Sequence, residues 1–407
     1  MGILRLVAWV LFCSAIAVGS AAGYHLVTTT DEDSVGGFAD GKVRLELVPG
    51  PKGLITMLTP VFPDDHTLSL LRNQLRTFAA FVEVDSFAAW LMVCPAQHLP
   101  ALRAFLDGGL PDLPPALDDI VRVVADEACA PELEPRRFAA LAFNDAEFVS
   151  GWLKQQLLKL ACAHLVTTPY YLITDADTFF LNPFSAGDLF HKQECEGRSY
   201  TVCDKEHKIS YRALSEMHDY VNGTQPHGKA LWVHNSAATL QLPSPGPAVT
   251  RSIGVTPQIL SRSLVAALAA HLDRLLAAEV WERVTWRAYL VSRLTDYFSL
   301  PKGEQLRGNT PWTEYNLYWV FAVHAGLWDR YHVHGQLQSV GANAWHSTEF
   351  DLWDPCANSV VDAWNPGLWG TVQSVVKVKG RPVSGEAIWK KLNPCVPDWR
   401  QRSSDLI

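Results

Sequence analysis

Apolar and polar positions in the first half of the chain follow two periods, one typical of buried strands and one typical of amphipathic helices. Short apolar runs predict four strands, at Leu54–Thr59, Phe87–Cys94, Ile120–Val124 and Tyr170–Thr174. Between these runs, apolar residues recur every three or four positions and predict helices over Thr67–Val82, Leu99–Leu106 and Phe148–His164. This alternation is typical of an α/β fold with a mainly parallel sheet covered by helices on both faces.

The pattern of the second half is less regular. The run Leu264–Val280 carries charged residues, so it predicts an amphipathic helix rather than a membrane span. We expect one further helix to open at Val255-Thr256-Pro257 and another at Thr310-Pro311, where Thr can cap the helix and Pro suits its first position. With no repeat and no linker visible, we predict a single large domain over 46–355 and a C-terminal extension over 356–407.

Composition and charge narrow the class of protein. Of 407 residues, 48% are hydrophobic, which suffices for a large core, and Gly and Pro are close to average, which excludes collagen and low-complexity disorder. The net charge of −8 comes without Lys/Arg-rich tracts, and this argues against a nucleic-acid binder.

The N-terminus predicts entry into the secretory pathway. Arg5, an apolar run over Leu6–Val18 and small residues after it indicate a signal peptide or a membrane anchor over residues 1–22. An oxidising lumen would permit disulfides, and we expect the pairs Cys195–Cys203 and Cys356–Cys395, with Cys162 as a core residue. The sequon at Asn222 fits an exposed luminal loop.

Two carboxylates follow the fourth predicted strand. If strand geometry continues through Asp175-Ala176-Asp177, both acidic side chains point the same way. Hard oxygen ligands at the carboxyl end of a sheet suit Mg²⁺ or Mn²⁺ bound to a diphosphate, where the metal would neutralise a nucleoside diphosphate leaving group. The same spacing in Asp31-Glu32-Asp33 lies in a polar segment, where we expect only solvent.

The acidic motif fits two other interpretations. Asp residues at a polar strand end also form turns. Asp175-Ala176-Asp177-Thr178 also matches the first motif of haloacid-dehalogenase-type phosphatases, in which the first Asp is a nucleophile. That family carries the motif on its first strand, whereas three strand-like runs precede it here, and the Asp-Asp pairs of this chain lie upstream. The phosphatase is therefore disfavoured.

Several motifs in order resemble a family of uncharacterised glycosyltransferases of the GT-A type, which use nucleotide-diphospho-sugars. The resemblance runs from about Leu54 to Phe350, and it is carried by the segments Gly151–Leu160, Thr168–Tyr171, Asp175–Asp177, Gly254–Pro257, Trp312–Tyr318 and His346–Phe350. It implies a GT-A-like mixed, mainly parallel sheet flanked by helices, within a single catalytic domain. It implies a class of reaction and not a substrate.

The resemblance also suggests roles at the donor side of a site. Asp177 would bind the metal directly, and Asp175 would bind the metal or the donor ribose. Thr59 and Pro60 end the first strand, where such enzymes hold the nucleotide. The helix before the acidic motif would contribute donor-binding side chains, namely Lys154, Gln155 and Gln156.

Later segments supply the remaining candidates. We expect a further metal ligand at His346, with His234, and then His332 and His334, as alternatives. Glu314 would be the general base of an inverting reaction, although an acidic residue also suits the first turn of a helix. Seven Trp lie between 312 and 369, most of them expected in the core. We expect Trp312 and Trp345 to stack on sugar rings, and Thr256 also to bind the substrate.

The sequence as a whole predicts a luminal, Mn²⁺- or Mg²⁺-dependent glycosyltransferase. It would move a sugar from a nucleoside diphosphate donor to a glycan or glycoprotein hydroxyl in the ER or Golgi, as a secreted or type II membrane-anchored protein. A non-catalytic carbohydrate-binding relative of the same fold is the alternative.

Overall fold

A computed structural model describes the greater part of the chain. It covers residues 46–48, 51–108, 113–133, 147–195, 202–204, 206–219, 228–244, 251–253, 256–278, 284–298, 310–335, 369–371, 377–378 and 381–395. The expected leader, the sequon at Asn222, and Trp345, His346 and Cys356 lie outside these residues. Within them, no helix has the length and apolar character that crossing a membrane requires.

Strands and helices alternate through the first half, as expected. The strands are β1 Glu46–Val48, β2 Ile55–Pro60, β3 Ala89–Cys94, β4 Val121–Ala125, β5 Tyr170–Ile173, β6 Thr178–Phe180, β7 Phe190–Glu194, β8 Val202–Asp204, β9 Ile209–Ser215, β10 Met217–Asp219, β11 Arg251–Ile253, β12 Gln258–Ser261, β13 His332–His334, β14 Trp369–Thr371, β15 Lys377–Val378 and β16 Arg381–Pro382. The helices are α1 Asp65–Phe81, α2 Leu99–Gly108, α3 Ala116–Ile120, α4 Asp126–Cys129, α5 Glu147–Ala161, α6 Gly228–Thr239, α7 Arg262–Ala278, α8 Trp286–Phe298, α9 Glu314–His324, α10 Trp328–Tyr331 and α11 Gly385–Leu392.

The main sheet of the described residues has the strand order β12-β5-β2-β3-β4. Strands β2 to β5 run parallel, and β12 is antiparallel to β5 at the edge. Strands β2 and β5 are buried along their whole length, because helices cover the sheet on both faces. This confirms the mixed, mainly parallel sheet flanked by helices.

A second sheet joins β1, β8, β9 and β13, with β7 paired to β9. It meets the main sheet through Tyr170, whose hydroxyl donates to the carbonyl of Tyr211 in β9 at 2.9 Å.

Two of the helix starts predicted from the sequence are wrong. No helix opens at Thr256-Pro257, because the next four residues are buried and pair with β5 as strand β12, so that helix α7 begins only at Arg262. Helix α9 begins at Glu314 rather than at Pro311, and the side chain of Thr313 caps it. The preceding segment stays outside the helix, where its carbonyls accept hydrogen bonds from helix α6, at Thr310 from Asn235 and at Pro311 from Thr239.

The disulfides were predicted in part. Cys195 and Cys203 are bonded as expected, but Cys162 is bonded to Cys129 and is not a simple core residue. This second bond joins the end of α5 to the end of α4, which the linear sequence keeps 33 residues apart. Cys94 is a buried free thiol, and burial raises its pKa to about 11, so it stays protonated at neutral pH.

The C-terminal segment packs directly on the main domain. Strand β14 pairs with β6, the strand that begins immediately after Asp177. Helix α11 lies on helix α1, where Asn73 donates to the carbonyl of Gly385 at 2.7 Å and the Arg76 guanidinium lies 4.7 Å from the centre of the Trp389 ring. A small apolar cluster closes the contact, formed by Leu70, Phe179, Leu181, Val383, Ile388 and Leu392.

Replacing Gly385 by Ala tests this docking. An added Cβ would lie 2.1 Å from the Ser69 hydroxyl and 3.0 Å from the Ser69 backbone, so α11 must move away from α1. We expect Gly385→Ala to lower the free energy of unfolding by about 2 kcal/mol in urea titrations. Gly108→Ala is the matched control, because a Cβ there meets nothing within 4 Å. Equal stability of the two variants would contradict the docking.

A buried histidine links α9 to the second sheet. The ring nitrogens of His332 lie 2.8 Å from the Ser215 hydroxyl and 2.6 Å from the Tyr318 hydroxyl, and the Trp328 ring stacks on the imidazole at 4.3 Å. Burial lowers the pKa of His332 from 6.5 to about 3, so the ring is neutral in the folded protein. With both nitrogens engaged, His332 is not the alternative metal ligand considered above.

His332 makes stability depend on pH. Because its pKa is lower in the folded state, its contribution is present above pH 6.5 and is lost as pH falls towards 3, by about 1.4 kcal/mol per pH unit. We expect urea titrations to show a total loss of about 1.4 kcal/mol between pH 7.5 and pH 5.5, most of it below pH 6.5, and His332→Gln, which cannot titrate, to remove this loss. The exposed control His191→Gln should leave the slope unchanged, and a slope that survives in His332→Gln would contradict the assignment.

Candidate functional site

The carboxyl ends of the parallel strands form one edge of the main sheet. Strands β2, β3, β4 and β5 end there at Pro60, Cys94, Ala125 and Ile173. Because Gln258 pairs with Ile173, Thr256 reaches the same edge from the antiparallel strand. Ligands of open α/β sheets bind at this edge, and the acidic motif lies on it.

Asp175, Ala176 and Asp177 form a tight turn between β5 and β6. The strand ends at Ile173, so strand geometry does not continue through the motif. The amide of Thr178 donates to the carbonyl of Asp175 at 3.0 Å, and the side chain of Gln74 donates to the same carbonyl at 2.9 Å. These bonds hold the turn while leaving 34% of the Asp175 side chain exposed; Asp177 is also part-exposed.

A buried lysine lies beneath this turn. The ammonium of Lys159, on α5, is 3.1 Å from Oδ1 of Asp175 and 3.3 Å from Oε1 of Glu314, the first residue of α9. It also donates to the Thr256 hydroxyl at 2.8 Å, and that hydroxyl lies 2.8 Å from the Tyr315 hydroxyl. The structure thus brings together three predicted residues, Asp175, Glu314 and Thr256, around a fourth that had no predicted role.

The charges of this cluster depend on one another. Burial lowers the pKa of Lys159, but the nearby carboxylates of Asp175 and Glu314 raise it by more, so the net shift is upward and the ammonium stays charged. Burial raises the pKa of Glu314, and the nearby Lys159 cation offsets only part of that rise. Burial also raises the pKa of Tyr315, which remains a neutral phenol. The part-exposed Asp175 is therefore paired from below with a fixed positive charge.

The candidates on β2 are in the core. Thr59 is fully buried, and its hydroxyl bonds to the Thr174 hydroxyl at 2.6 Å and accepts the Trp90 indole N–H at 2.8 Å. Pro60 is also buried. The Thr59 hydroxyl thus links β2 to β3 and to the residue after β5. The predicted nucleotide contact would therefore have to come from the backbone at this edge or from residues after Pro60.

The candidates on helix α5 are divided between surface and interior. Lys154 forms an ion pair with the buried Asp126 at the end of β4, and Gln155 is half-buried. Gln156 is 1% exposed, and neither its amide nitrogen nor its amide oxygen has a hydrogen-bond partner among the described residues. Lys154 thus lies near the carboxyl end of β4, whereas Gln156 lies inside the protein.

Trp312 is not available to a sugar. It has no exposed surface, and its indole N–H donates to the carbonyl of Leu290 at 3.0 Å. The sugar-stacking role expected for Trp312 is therefore corrected to core packing. The partner Trp345 and the metal ligand His346 remain predictions because they lie outside the described residues, and no group of three His, Cys, Asp or Glu side chains within those residues could hold a metal.

Lys159, Gln74 and Asp126 are the site residues that sequence reasoning missed. A charged residue inside the apolar run Leu157–Ala161 was a signal for Lys159, because a buried lysine needs acidic partners. Gln74 gave no signal, since it looks like a polar residue on the surface of α1. Asp126 was recognised only as the end of the third strand.

Removing the Lys159 cation should strongly destabilise the protein. In Lys159→Met the carboxylates of Glu314 and Asp175 lose their counter-charge, and a broken buried pair costs about 3–5 kcal/mol. We expect urea titration to show a loss of this size. The exposed control Lys390→Met should change stability by less than about 0.5 kcal/mol.

A double variant separates the charge from the packing. Adding Glu314→Gln to Lys159→Met removes the buried orphan charge, so part of the lost stability should return. If the single variant is as stable as the control, the ion-pair cluster is not as described.

A family model described as "Family of unknown function (DUF6492)" matches residues 63–399. No curated protein matches the sequence.

Three solved structures are similar at low identity. Mouse xyloside xylosyltransferase 1, in its apo form, is 11% identical over 70% of this chain and 86% of its own, with a TM-score of 0.33. The mannosyltransferase Ktr4p from S. cerevisiae is 11% identical over 69% of each chain, also with a TM-score of 0.33. The PaToxG glycosyltransferase is 9% identical over 70% of this chain and 92% of its own, with a TM-score of 0.25. Likenesses at these scores carry no argument about activity.

Proposed function

Since the chain belongs to the family of unknown function DUF6492, we propose its activity from its own site: it is a glycosyltransferase that takes a sugar from a nucleoside diphosphate donor. The observation that carries the proposal is the part-exposed turn Asp175–Asp177 at the carboxyl edge of the parallel sheet, held from below by Lys159. The edge is where an α/β sheet binds ligands, and the turn presents carboxylates there.

The donor set fits a hard divalent cation. Asp177 and the free oxygen of Asp175 are carboxylate ligands, and Mg²⁺ or Mn²⁺ is commonly held by one or two carboxylates together with substrate phosphates. When bound, such a cation would neutralise charge on the diphosphate leaving group. The resemblance assigns the direct ligand to Asp177. Oδ1 of Asp175 is paired with Lys159, and Asp175 would serve as a second ligand or contact the donor ribose.

The reaction joins the acceptor to the donor sugar. The oxygen of an acceptor hydroxyl forms a bond to the anomeric carbon while the bond from that carbon to the phosphate oxygen breaks, and the nucleoside diphosphate leaves with the bonding electrons. In an inverting reaction, Glu314 would take the hydroxyl proton, and burial raises its pKa, which makes it a stronger base once ionised. A retaining reaction would not need this base.

The acceptor and the compartment belong to the same proposal. We place the acceptor among glycans and glycoproteins, in the lumen of the secretory pathway. The disulfides Cys129–Cys162 and Cys195–Cys203 support this compartment, because such bonds persist in oxidising surroundings.

Donor binding tests the proposal directly. We expect Mn²⁺ together with one nucleoside diphosphate sugar from a panel to raise the melting temperature of the protein. At a hundredfold excess over Kd the gain is about 2.7 kcal/mol, or roughly 3 °C for a chain of this length. Asp177→Asn should abolish the shift, whereas Asp119→Asn, an exposed carboxylate on α3, should keep it.

Two results would count against the transferase. One is a folded protein that no donor stabilises in the presence of metal. The other is a shift that is equal in Asp177→Asn and in the wild type.

A further inference from the structure

Two indole rings meet beside the Lys159 cluster. The ring centres of Trp152 on α5 and Trp232 on α6 lie 6.1 Å apart with 40° between the ring planes, and both side chains are half-buried. Neither residue was singled out from the sequence, and the proposed donor chemistry does not use either. Each indole keeps part of its surface exposed, and an indole combines a large apolar ring with one polar N–H.

Helix periodicity places Trp152 on the side of α5 that carries Lys159. At 100° per residue, Trp152, Gln156 and Lys159 fall within about 60° of one another, and Trp152 lies roughly 10 Å along the axis from Lys159. The ammonium of Lys159 contacts Asp175 and Glu314. A ligand resting on Trp152 would therefore extend towards the acidic turn.

Trp232 approaches the same place from helix α6. One turn further along α6, the Ser236 hydroxyl accepts the amide N–H of Thr313 at 3.3 Å, and Thr313 directly precedes Glu314. Asn235 donates to the carbonyl of Thr310 at 2.9 Å. These contacts fix α6 against the start of α9 and place Trp232 one helical turn from Ser236, which bonds to the residue before Glu314.

Gln156 lies between the indole and the lysine with an unsatisfied amide. It is 1% exposed, and neither of its amide atoms has a hydrogen-bond partner among the described residues. A buried amide without partners costs roughly 1–3 kcal/mol. Vicinal hydroxyls could both donate to and accept from such an amide, once a small side-chain movement exposes it.

We propose that Trp152 and Trp232 form the subsite for the acceptor, and that its occupant is a neutral pyranose ring stacked on an indole face. The proposal rests on the proposed function, which it deepens by assigning the acceptor class and its location. The apolar C–H face of a pyranose matches an indole, and its hydroxyls match the Gln156 amide. The stacked sugar would direct one of its hydroxyls towards Asp175 and Glu314. There this hydroxyl would bond to the anomeric carbon of the donor sugar.

Saturation-transfer NMR on the full chain tests the subsite without a donor. The probes are methyl β-D-glucopyranoside, methyl β-D-galactopyranoside and methyl α-D-mannopyranoside. Sorbitol is the negative control, because it has hydroxyls but no ring face. We expect at least one pyranoside to receive saturation mainly on the protons of one ring face, and sorbitol to receive none.

The variants assign the effect to the two rings. Trp152→Ala and Trp232→Ala should each weaken binding by roughly tenfold or more, whereas Trp152→Phe and Trp232→Phe, which keep an aromatic face, should retain most of it. Trp389→Ala is the matched control. Trp389, in α11 of the C-terminal segment, is also half-buried, but it packs with Arg76 and not with either indole of the proposed subsite.

Two outcomes would overturn the subsite: no saturation of any pyranoside by the folded wild type, or unchanged saturation in both Ala variants. The melting experiment with nucleoside diphosphate sugars reports on the donor independently. A donor response without pyranoside binding rejects the subsite and keeps the transferase. Pyranoside binding without any donor response rejects the transferase and leaves a carbohydrate-binding site at these residues.

Discussion

The buried ammonium of Lys159 is the group around which the site is organised. A cation in the interior is stable only with anionic partners and hydrogen bonds close by, and here Asp175, Glu314 and Thr256 supply them within 3.3 Å. Each partner comes from a different segment: the turn after β5, the first residue of α9, and the approach to β12. The need to neutralise a single charge therefore holds together three parts of the chain and leaves the acidic turn at the surface.

The acidic turn is also held from its other side. Gln74 on α1 bonds to the carbonyl of Asp175, and strand β6, directly after Asp177, pairs with β14 from the C-terminal segment. Helix α11 then packs on α1 through the apolar cluster of Leu70, Phe179, Leu181, Val383, Ile388 and Leu392. The segment predicted as an extension thus shares a strand pairing and a core cluster with the elements that carry the site, although the exact boundary at residue 356 stays a prediction.

The aromatic residues illustrate how sequence motifs mix packing with function. Trp312 belongs to a motif shared with a glycosyltransferase family, yet it is fully buried and hydrogen-bonded to the backbone of α8. Trp152 also lies in a shared motif, in the first half of α5, and remains half-buried against Trp232. Sequence position does not separate the two cases, because each indole lies within a shared motif. Only the packing of α6, α8 and α9 decides how much of each ring stays exposed.

The sequence by itself determined the four parallel strands of the main sheet and the position of the acidic motif. Apolar periodicity depends on neighbours within a few residues, so β2 to β5 and helices α1, α2 and α5 could be predicted to within a few residues. Parallel strands then placed Asp175 and Asp177 at the carboxyl edge. The strand β12, the start of α9 and the Cys129–Cys162 bond were decided by tertiary pairing. So were the partners of Lys159: Glu314 lies 155 residues away in sequence, and local patterns carry no record of contacts over that distance.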